Sequence, residues 1–171
     1  MILVDLDHFK QVNDVHGHLV GDKILTEVAK IFSKGLQVAK SIQLIETSEI
    51  GRYGGEEFII LMPNTPQSRA IEVADQLRFT LASTPIDTGN HRQIVMTASF
   101  GVASLHNHCV DAIQAVFDQN IMMDKSLERE YHLGLLDVIE VVIGHADNAL
   151  YHAKDLGRNR VVASTLSLIH I

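Results

Sequence analysis

Short apolar runs alternate with longer segments of helical periodicity along this chain. The runs have the length and β-branched content typical of strands, and they lie at residues 2–6, around Ile50, at 59–62, at about 94–105 and at 161–163. Between them, apolar residues recur at helical spacing at about 22–36, from Pro66 onward and at about 137–156. The order β-α-β-β-α-β with a further helix predicts an α+β fold, a ferredoxin-like sandwich whose central sheet contains antiparallel strands.

The first two helical segments each carry an apolar stripe that predicts a buried face. The stripes are Ile24, Leu25, Val28, Ile31 and Phe32 in the first segment, and Ala70, Val73, Ala74, Leu77 and Leu81 in the second. Pro66 suits the first helical position after Thr65, and Gly157 suits the C-terminal cap of the last helix. Gly54 and Gly55, between two apolar runs, predict a tight hairpin, because glycine accepts positive φ freely.

Composition narrows the class of protein. With 171 residues, 46% of them hydrophobic, the chain is long enough for one domain with its own core. A net charge of −7 and the lack of a basic stripe argue against nucleic-acid binding. The single cysteine, Cys109, rules out an internal disulfide and fits a reducing compartment. No apolar run reaches the length of a membrane span, so we expect a cytoplasmic chain without membrane contact.

Acidic residues stand where the predicted strands end. Asp5 and Asp7 close the first buried strand, and Glu56 and Glu57 follow the paired glycines. Burying an acid at the end of a strand costs desolvation free energy unless the acid is paired or binds a cation. The two hairpin acids, taken alone, would also suit a solvated surface turn. Mg²⁺ takes hard oxygen ligands, and two such ions can clamp an in-line displacement. With Lys10 close to the first acids, the pattern predicts Mg²⁺-dependent phosphoryl or nucleotidyl transfer.

Several blocks of sequence together carry a family resemblance. Gly-Gly-Glu-Glu-Phe at 54–58 follows Arg52-Tyr53, and the other blocks are Asp5–Asp14, Gly17-His18, Gly21-Asp22, Ser99–Ala103, Ala146–Lys154 and Gly157–Val161. In these blocks and their order, residues 1–163 resemble a GGDEF domain, the catalytic domain of diguanylate cyclases. The resemblance implies a palm-type sheet with surrounding helices, packed mainly on one face.

The resemblance also implies a site for Mg²⁺, with Mn²⁺ as a substitute. Asp5 is the first expected metal ligand, although it would also suit a cap on the following turn. The resemblance adds the backbone carbonyl of Leu6 as a second metal contact. Glu56 is expected to share the metal and to help activate the nucleophile. Glu57 is also an expected metal ligand but ranks below Glu56, because neighbours on an extended strand point in opposite directions and the two acids cannot face the site in the same way.

Two more residues near the first strand receive expected roles. Lys10 is either a solvated lysine or a catalytic group that stabilises charge on a triphosphate. Backbone N–H groups of the turn at residues 8–10 would add donors, as in an anion-binding nest. Asp7 is expected to be structural and hydrogen-bonded.

Five further residues are expected to bind the substrate, GTP. Asn13 and Asp22 look like the guanine-reading residues of the family, with His18 in the same pocket. Asp22 would also suit the N-terminus of a helix, where the macrodipole favours an acid. Lys154 and Arg158 are four apart and so are expected to share a helix face. The resemblance implies that they reach the β- and γ-phosphates, and the alternative is a cationic last turn that complements the helix dipole.

The chain also departs from the family pattern. It starts at the first core strand, so we expect a GGDEF domain over residues 1–163 that lacks its N-terminal helix. Residues 106–136 are longer than the usual connection and are expected to form extra helix. Residues 164–171 do not fit the predicted fold and are interpreted as an artefactual tail.

The resemblance implies a function with a partner. A diguanylate cyclase condenses two GTP into cyclic di-GMP and releases pyrophosphate, which requires a homodimer of two GTP-loaded domains. One alternative is a non-catalytic GTP-binding regulatory module, and a second is another cyclase chemistry on the same palm. The intact signature, together with Asp5, Lys10, Asn13 and Asp22, favours the enzyme.

Overall fold

A five-stranded sheet organises the chain. The computed structural model describes residues 1–89, 92–105 and 127–164. In those residues the elements are β1 (Ile2–Leu6), α1 (Phe9–His16), α2 (His18–Ser41), β2 (Glu49–Arg52), β3 (Glu57–Leu61), α3 (Gln67–Ser83), β4 (Ile86–Gly89), β5 (Arg92–Ile94), β6 (Ala98–Val102), α4 (Leu127–Asp155) and β7 (Val161–Ala163).

The strand order confirms the predicted fold class. The sheet runs β2-β3-β1-β6-β7, and the first four strands in that order pair antiparallel with their neighbours. This is the arrangement expected of a βαββαβ sandwich. β7 adds a parallel edge strand beside β6, and β4 pairs with β5 in a separate two-stranded sheet.

Alternation along β1 divides the core into two layers. Ile2, Val4 and Leu6 point to one face, where they pack with the buried stripes of α2 and α3. Leu3 points to the other face and packs with Val142, Ala146 and Leu150 of α4. Helices therefore cover both faces, with α1, α2 and α3 on one and α4 on the other, so that they pack mainly on one face as predicted.

Several predicted boundaries differ from the structure. Residues 9–16 form α1 where only a turn was predicted, because the buried Phe9 anchors this short polar helix on the core. α2 begins at His18 rather than near 22. The predicted strand at 94–105 is broken at residues 95–97, so that only β6 belongs to the main sheet.

The end of the chain also differs in part. α4 begins at Leu127, so part of the expected extra helix at 106–136 belongs to it, and residues 106–126 lie outside the described part of the chain. Ser164 still donates its N–H to the Val102 carbonyl at 2.8 Å, alongside the sheet. Residues 165–171, the rest of the predicted tail, are likewise outside the described residues. Among the described helices, none combines the length and apolar character that a membrane crossing requires.

Gly101 lies where α4 crosses β6, and it gives a stability prediction. A Cβ at this position would overlap the backbone carbonyl of Ala146, which cannot swing away as a side chain can. We expect Gly101→Ala to lower the free energy of unfolding by about 3 kcal/mol, at the upper end of overpacking costs. Gly144→Ala is the matched control on α4, because its Cβ would meet nothing within 4 Å. Urea unfolding of both variants measures the difference, and equal stabilities would contradict this packing.

Candidate active site

Two carboxylates face each other across the first and third strands. Asp5 in β1 and Glu57 in β3 are direct cross-strand partners. Residues paired in this way project from the same face of the sheet, here the face that α4 covers. Like charges in this arrangement repel, so the pair favours a cation beside it.

Lys154 supplies a positive charge at this point. Its Nζ lies 2.8 Å from Asp5 Oδ2, and the Asp5 side chain is only 13% exposed. The lysine stands in the last turn of α4, nearly the whole chain away in sequence from Asp5. The structure thus brings together two predicted site residues, one expected at the metal and the other at the phosphates.

The hairpin tip between β2 and β3 is held by its own side chains. Arg52 donates from Nε to the carbonyls of Gly54 and Gly55, at 3.2 and 3.0 Å, and from Nη2 to Gly55 at 2.6 Å. The Leu6 N–H donates to the Glu56 carbonyl at 3.3 Å, which places Glu56 beside the end of β1. The predicted metal contacts at Leu6 and Glu56 are therefore neighbours through their backbones.

Gly54 serves a different purpose from the one predicted for the two signature glycines. Positive φ among the glycines of the described residues occurs at Gly17, Gly89 and Gly157, so neither Gly54 nor Gly55 needs it. A Cβ at Gly54 would instead lie 2.6 Å from Glu57 Oε2. The missing side chain makes room for the Glu57 carboxylate, which sequence reasoning did not foresee.

Asp7 joins three parts of the chain. Its buried carboxylate accepts hydrogen bonds from Thr97 Oγ1 and Ser99 Oγ, both at 2.7 Å, and from the Asn159 N–H at 3.0 Å. Arg78 of α3 donates to Asn159 Oδ1 at 3.3 Å. The structural role expected for Asp7 is confirmed, and its partners fix the turn after α4 against β1. No sequence signal pointed to Thr97 or Asn159 as its partners.

The predicted shared helix face of Lys154 and Arg158 is wrong. α4 ends at Asp155, and the chain turns through Gly157 at φ 111° and Arg158 at φ 64°. Left-handed residues end the helix, so Arg158 sits in the turn rather than one helical turn beyond Lys154. Arg158 and Lys10 are both exposed, and neither side chain bonds to another residue in the described part of the chain.

The junction of α1 and α2 contains an unsatisfied polar atom. Asn13 Oδ1 is buried and has no hydrogen-bond partner among the described residues. It packs against Gly21, where a Cβ would overlap it. A buried acceptor without a partner favours a ligand that donates a hydrogen bond. This observation supports a ligand-reading role for Asn13.

The two other predicted base-binding residues flank the same junction. His18 is the exposed first residue of α2. Asp22 is exposed in the second turn of that helix, so the alternative of an acid in the first turn does not hold. Asp22 also lines an open groove of about 460 Å³ that runs between α2 and the β2–β3 hairpin.

The start of α1 provides backbone donors near Lys10. His8 adopts φ 59° and its carbonyl accepts from the N–H groups of Gln11 and Val12, at 2.9 and 3.3 Å. The N–H groups that precede these at a helix start have no partner within the helix. A helix N-terminus favours an anion, so this end has the donors expected of the turn at residues 8–10.

The donor set suits a hard cation. Asp5 and Glu57 are cross-strand partners near the end of β1, and the Lys154 ammonium already stands at Asp5 as a cation does. Glu56 and Leu6 lie beside them, joined by a backbone hydrogen bond. Within residues 1–89, 92–105 and 127–164, no three side chains of His, Cys, Asp or Glu converge as a ready-made metal cluster. Mg²⁺ does not need one, because one or two carboxylates with substrate phosphates suffice.

A further cavity in the described part of the chain lies away from these residues. It has a volume of about 860 Å³ and is lined by Met1, Leu61, Pro66, Leu105 and Ile139 among others, at the opposite end of β1. It contains none of the predicted site residues. We therefore place the candidate site at the C-terminal end of β1 on chemical grounds rather than by cavity size.

Comparison with known proteins identifies the family. The sequence matches the family profile described as "Diguanylate cyclase, GGDEF domain" over residues 1–130. It is 33% identical over 168 residues to Diguanylate cyclase A of Treponema denticola, covering 98% of this chain and 36% of that protein. It is 32% identical over 164 residues to the uncharacterized protein YhcK of Bacillus subtilis, covering 96% of this chain and 36% of that protein.

A solved structure agrees with the sequence comparison. The active GGEEF domain of a diguanylate cyclase from Vibrio cholerae superposes with a TM-score of 0.67 and 31% identity, over 97% of this chain and 82% of that one. The chain spans only about a third of the length of the curated relatives, 36% in each of the two cases above. Over the length that it does span, the chain belongs to the GGDEF family.

Proposed function

We propose that this chain is a diguanylate cyclase domain that condenses two GTP into cyclic di-GMP. The observation that carries the proposal is the signature hairpin, which sets Glu57 opposite Asp5 with Lys154 from α4 beside them. In each of two steps, a ribose 3′-hydroxyl oxygen forms a bond to the α-phosphorus of the other GTP. The bond from that phosphorus to the bridging oxygen breaks, and pyrophosphate leaves. Glu56, beside the end of β1, accepts the hydroxyl proton or directs it to water.

Asp5, the Leu6 carbonyl, Glu56 and Glu57 are the residues that would hold Mg²⁺, or Mn²⁺ in its place. When bound there, the metal shields phosphate charge and favours the ionised hydroxyl. Lys10 and the N–H groups at the start of α1 bind the phosphates and stabilise the charge that develops. Lys154 and the exposed Arg158 bind the leaving pyrophosphate. Asp7 holds the turn after α4 in place through the hydrogen bond that it accepts from the Asn159 N–H.

The α1–α2 junction reads the base. Asn13 Oδ1 accepts a hydrogen bond from guanine, which satisfies an otherwise unpaired buried atom. The Asp22 carboxylate accepts from the ring N–H and the amino group, and His18 lines the same junction. Adenine would leave these acceptors unpaired, which is costly, so GTP is favoured over ATP.

Asp22→Ala tests this reading of the base. We expect the affinity for GTP to fall by about tenfold, the worth of a hydrogen bond to a charged group, with ATP binding little changed. Titration calorimetry with each nucleotide measures both affinities. Asp14→Ala is the matched control, because it removes an equally exposed acid from the neighbouring helix. If both variants bind GTP as the parent chain does, guanine is read elsewhere.

The reaction requires a second copy of the chain, because one domain presents one GTP. Two copies face each other so that each 3′-hydroxyl reaches the opposite α-phosphate, in the cytoplasm, where GTP is available. Incubation with GTP and Mg²⁺, followed by chromatography, is expected to show cyclic di-GMP and pyrophosphate. Tight GTP binding without product, at any protein concentration, would instead indicate a regulatory GTP-binding module.

A further inference from the structure

Lys154 forms an ion pair unlike the others in the described residues. Each of the other two, Lys30–Glu27 in α2 and Arg78–Asp75 in α3, joins residues three apart within its own helix. The Lys154–Asp5 pair joins α4 to β1, and its side chains are 33% and 13% exposed. Shielded charges are screened less by salt than surface charges, so this contact is the more persistent of the three.

We infer that Lys154 is a specificity residue that makes this site prefer a metal–nucleotide complex to the free metal ion. The inference rests on the proposed function, because it needs a phosphate to which the lysine can turn. It starts from the position of Nζ, 2.8 Å from an oxygen of Asp5, the carboxylate that the proposed function assigns to the metal. Glu57 lies opposite Asp5, so the ammonium also neutralises a pair of like charges.

A metal ion that arrives alone meets a competitor. It must displace the ammonium from Asp5. Because the metal would neutralise both Asp5 and Glu57, the displaced lysine then remains near a second cation without an anion of its own. A nucleotide triphosphate removes this cost, because its phosphates give the ammonium a new partner. Metal and nucleotide therefore bind with positive coupling, and by linkage each raises the affinity of the other by the same factor.

The turn that carries Lys154 suits such an exchange. The lysine has a flexible four-carbon stem and a third of its side chain is exposed, so the ammonium can move without the backbone. The backbone after α4 is held in place by the hydrogen bond from the Asn159 N–H to Asp7. The exchange thus needs only a side-chain rotation.

Direct metal titration of Lys154→Met tests the inference without any turnover. Methionine keeps an unbranched, flexible side chain of nearly the same length and removes the charge. Free Mn²⁺ is measured by electron paramagnetic resonance, with and without the α,β-methylene analogue of GTP, which cannot be cleaved at the reacting bond. For the parent chain we expect the analogue to raise Mn²⁺ affinity within the range of about 5- to 150-fold found for coupled sites. For Lys154→Met we expect Mn²⁺ alone to bind about tenfold more tightly than to the parent, with most of the coupling lost.

Lys30→Met is the matched control, because it removes the same charge from an exposed pair. We expect its Mn²⁺ affinity to equal that of the parent chain. This result would separate the effect of the Lys154–Asp5 contact from the effect of the change in net charge. Lys154→Gln serves as a second neutral variant if methionine impairs folding, as judged by circular dichroism. Mn²⁺ binding to the neutral variants that is equal to or weaker than binding to the parent would overturn the inference. A parent chain that binds Mn²⁺ but never the analogue would refute the proposed function instead, while the comparison with Mn²⁺ alone would still decide whether Lys154 competes at Asp5.

Discussion

Asp5→Asn and Glu56→Gln are each expected to lower turnover of GTP by about 100-fold or more, the usual cost of losing a metal or transition-state contact. Asparagine and glutamine keep the size of the side chains and remove the charge that holds a metal ion. Folding is expected to persist, since Asp5→Asn also relieves the repulsion from Glu57 across the strands. Lys154 loses its partner, but a third of its side chain is exposed, so the ammonium can turn to water.

Initial rates at saturating GTP and Mg²⁺, together with thermal melting curves, measure both parts of this prediction. Glu72→Gln is the matched control, because it makes the same acid-to-amide change at an exposed position on α3. Its rate is expected to equal that of the parent chain. Turnover near the parent value in Asp5→Asn or Glu56→Gln would remove that residue from the mechanism.

Fusing the chain to a short parallel coiled coil is expected to raise the rate per domain by about 100-fold or more at micromolar protein, because tethering supplies an effective concentration of about a millimolar. Each 3′-hydroxyl must reach a GTP held by another copy, so the free chain depends on encounters between two domains. The sequence of residues 1–163 shows no heptad repeat that would bring the copies together. The free chain is therefore expected to be mainly monomeric and weakly active.

A dilution series of the initial rate, with and without the fusion, makes the measurement. The rate per domain of the free chain is expected to rise with protein concentration, and that of the fusion to stay constant. A fusion whose coiled coil is interrupted by charged residues in its core serves as the monomeric control. A rate per domain that is independent of dilution and of the fusion would contradict a dimer-limited reaction.

The sequence was sufficient for the elements whose apolar pattern is regular. β1, the β2–β3 hairpin, the buried stripe of α3 and β7 match the predictions, because each pattern directly reflects the face that is buried. α1 was missed, since its polar sequence becomes helical through the docking of Phe9. The break between β5 and β6 was missed as well, because β-propensity continues through a segment that changes sheets.

The candidate site was predictable as a set of residues but not as a set of contacts. Asp5, Glu56 and Glu57 could be proposed from their places at strand ends. The Lys154–Asp5 pair and the partners of Asp7 join residues 90 or more positions apart in the sequence, which local periodicity does not reveal. The shared face of Lys154 and Arg158 failed for a local reason, because the helix ends at Asp155 and the chain turns through Gly157.

The measurement that tests the central claim most directly is the product balance of the tethered chain with GTP and Mg²⁺. Tethering removes weak dimerisation as an explanation for inactivity, so the result depends on the site alone. Chromatography with pyrophosphate detection is expected to show one cyclic di-GMP and two pyrophosphates for every two GTP consumed. When the tethered chain carries Asp5→Asn, both products are expected to form more slowly by about 100-fold or more. A tethered chain that binds GTP but releases no pyrophosphate, or that yields a cyclic mononucleotide, would contradict the assignment as a diguanylate cyclase.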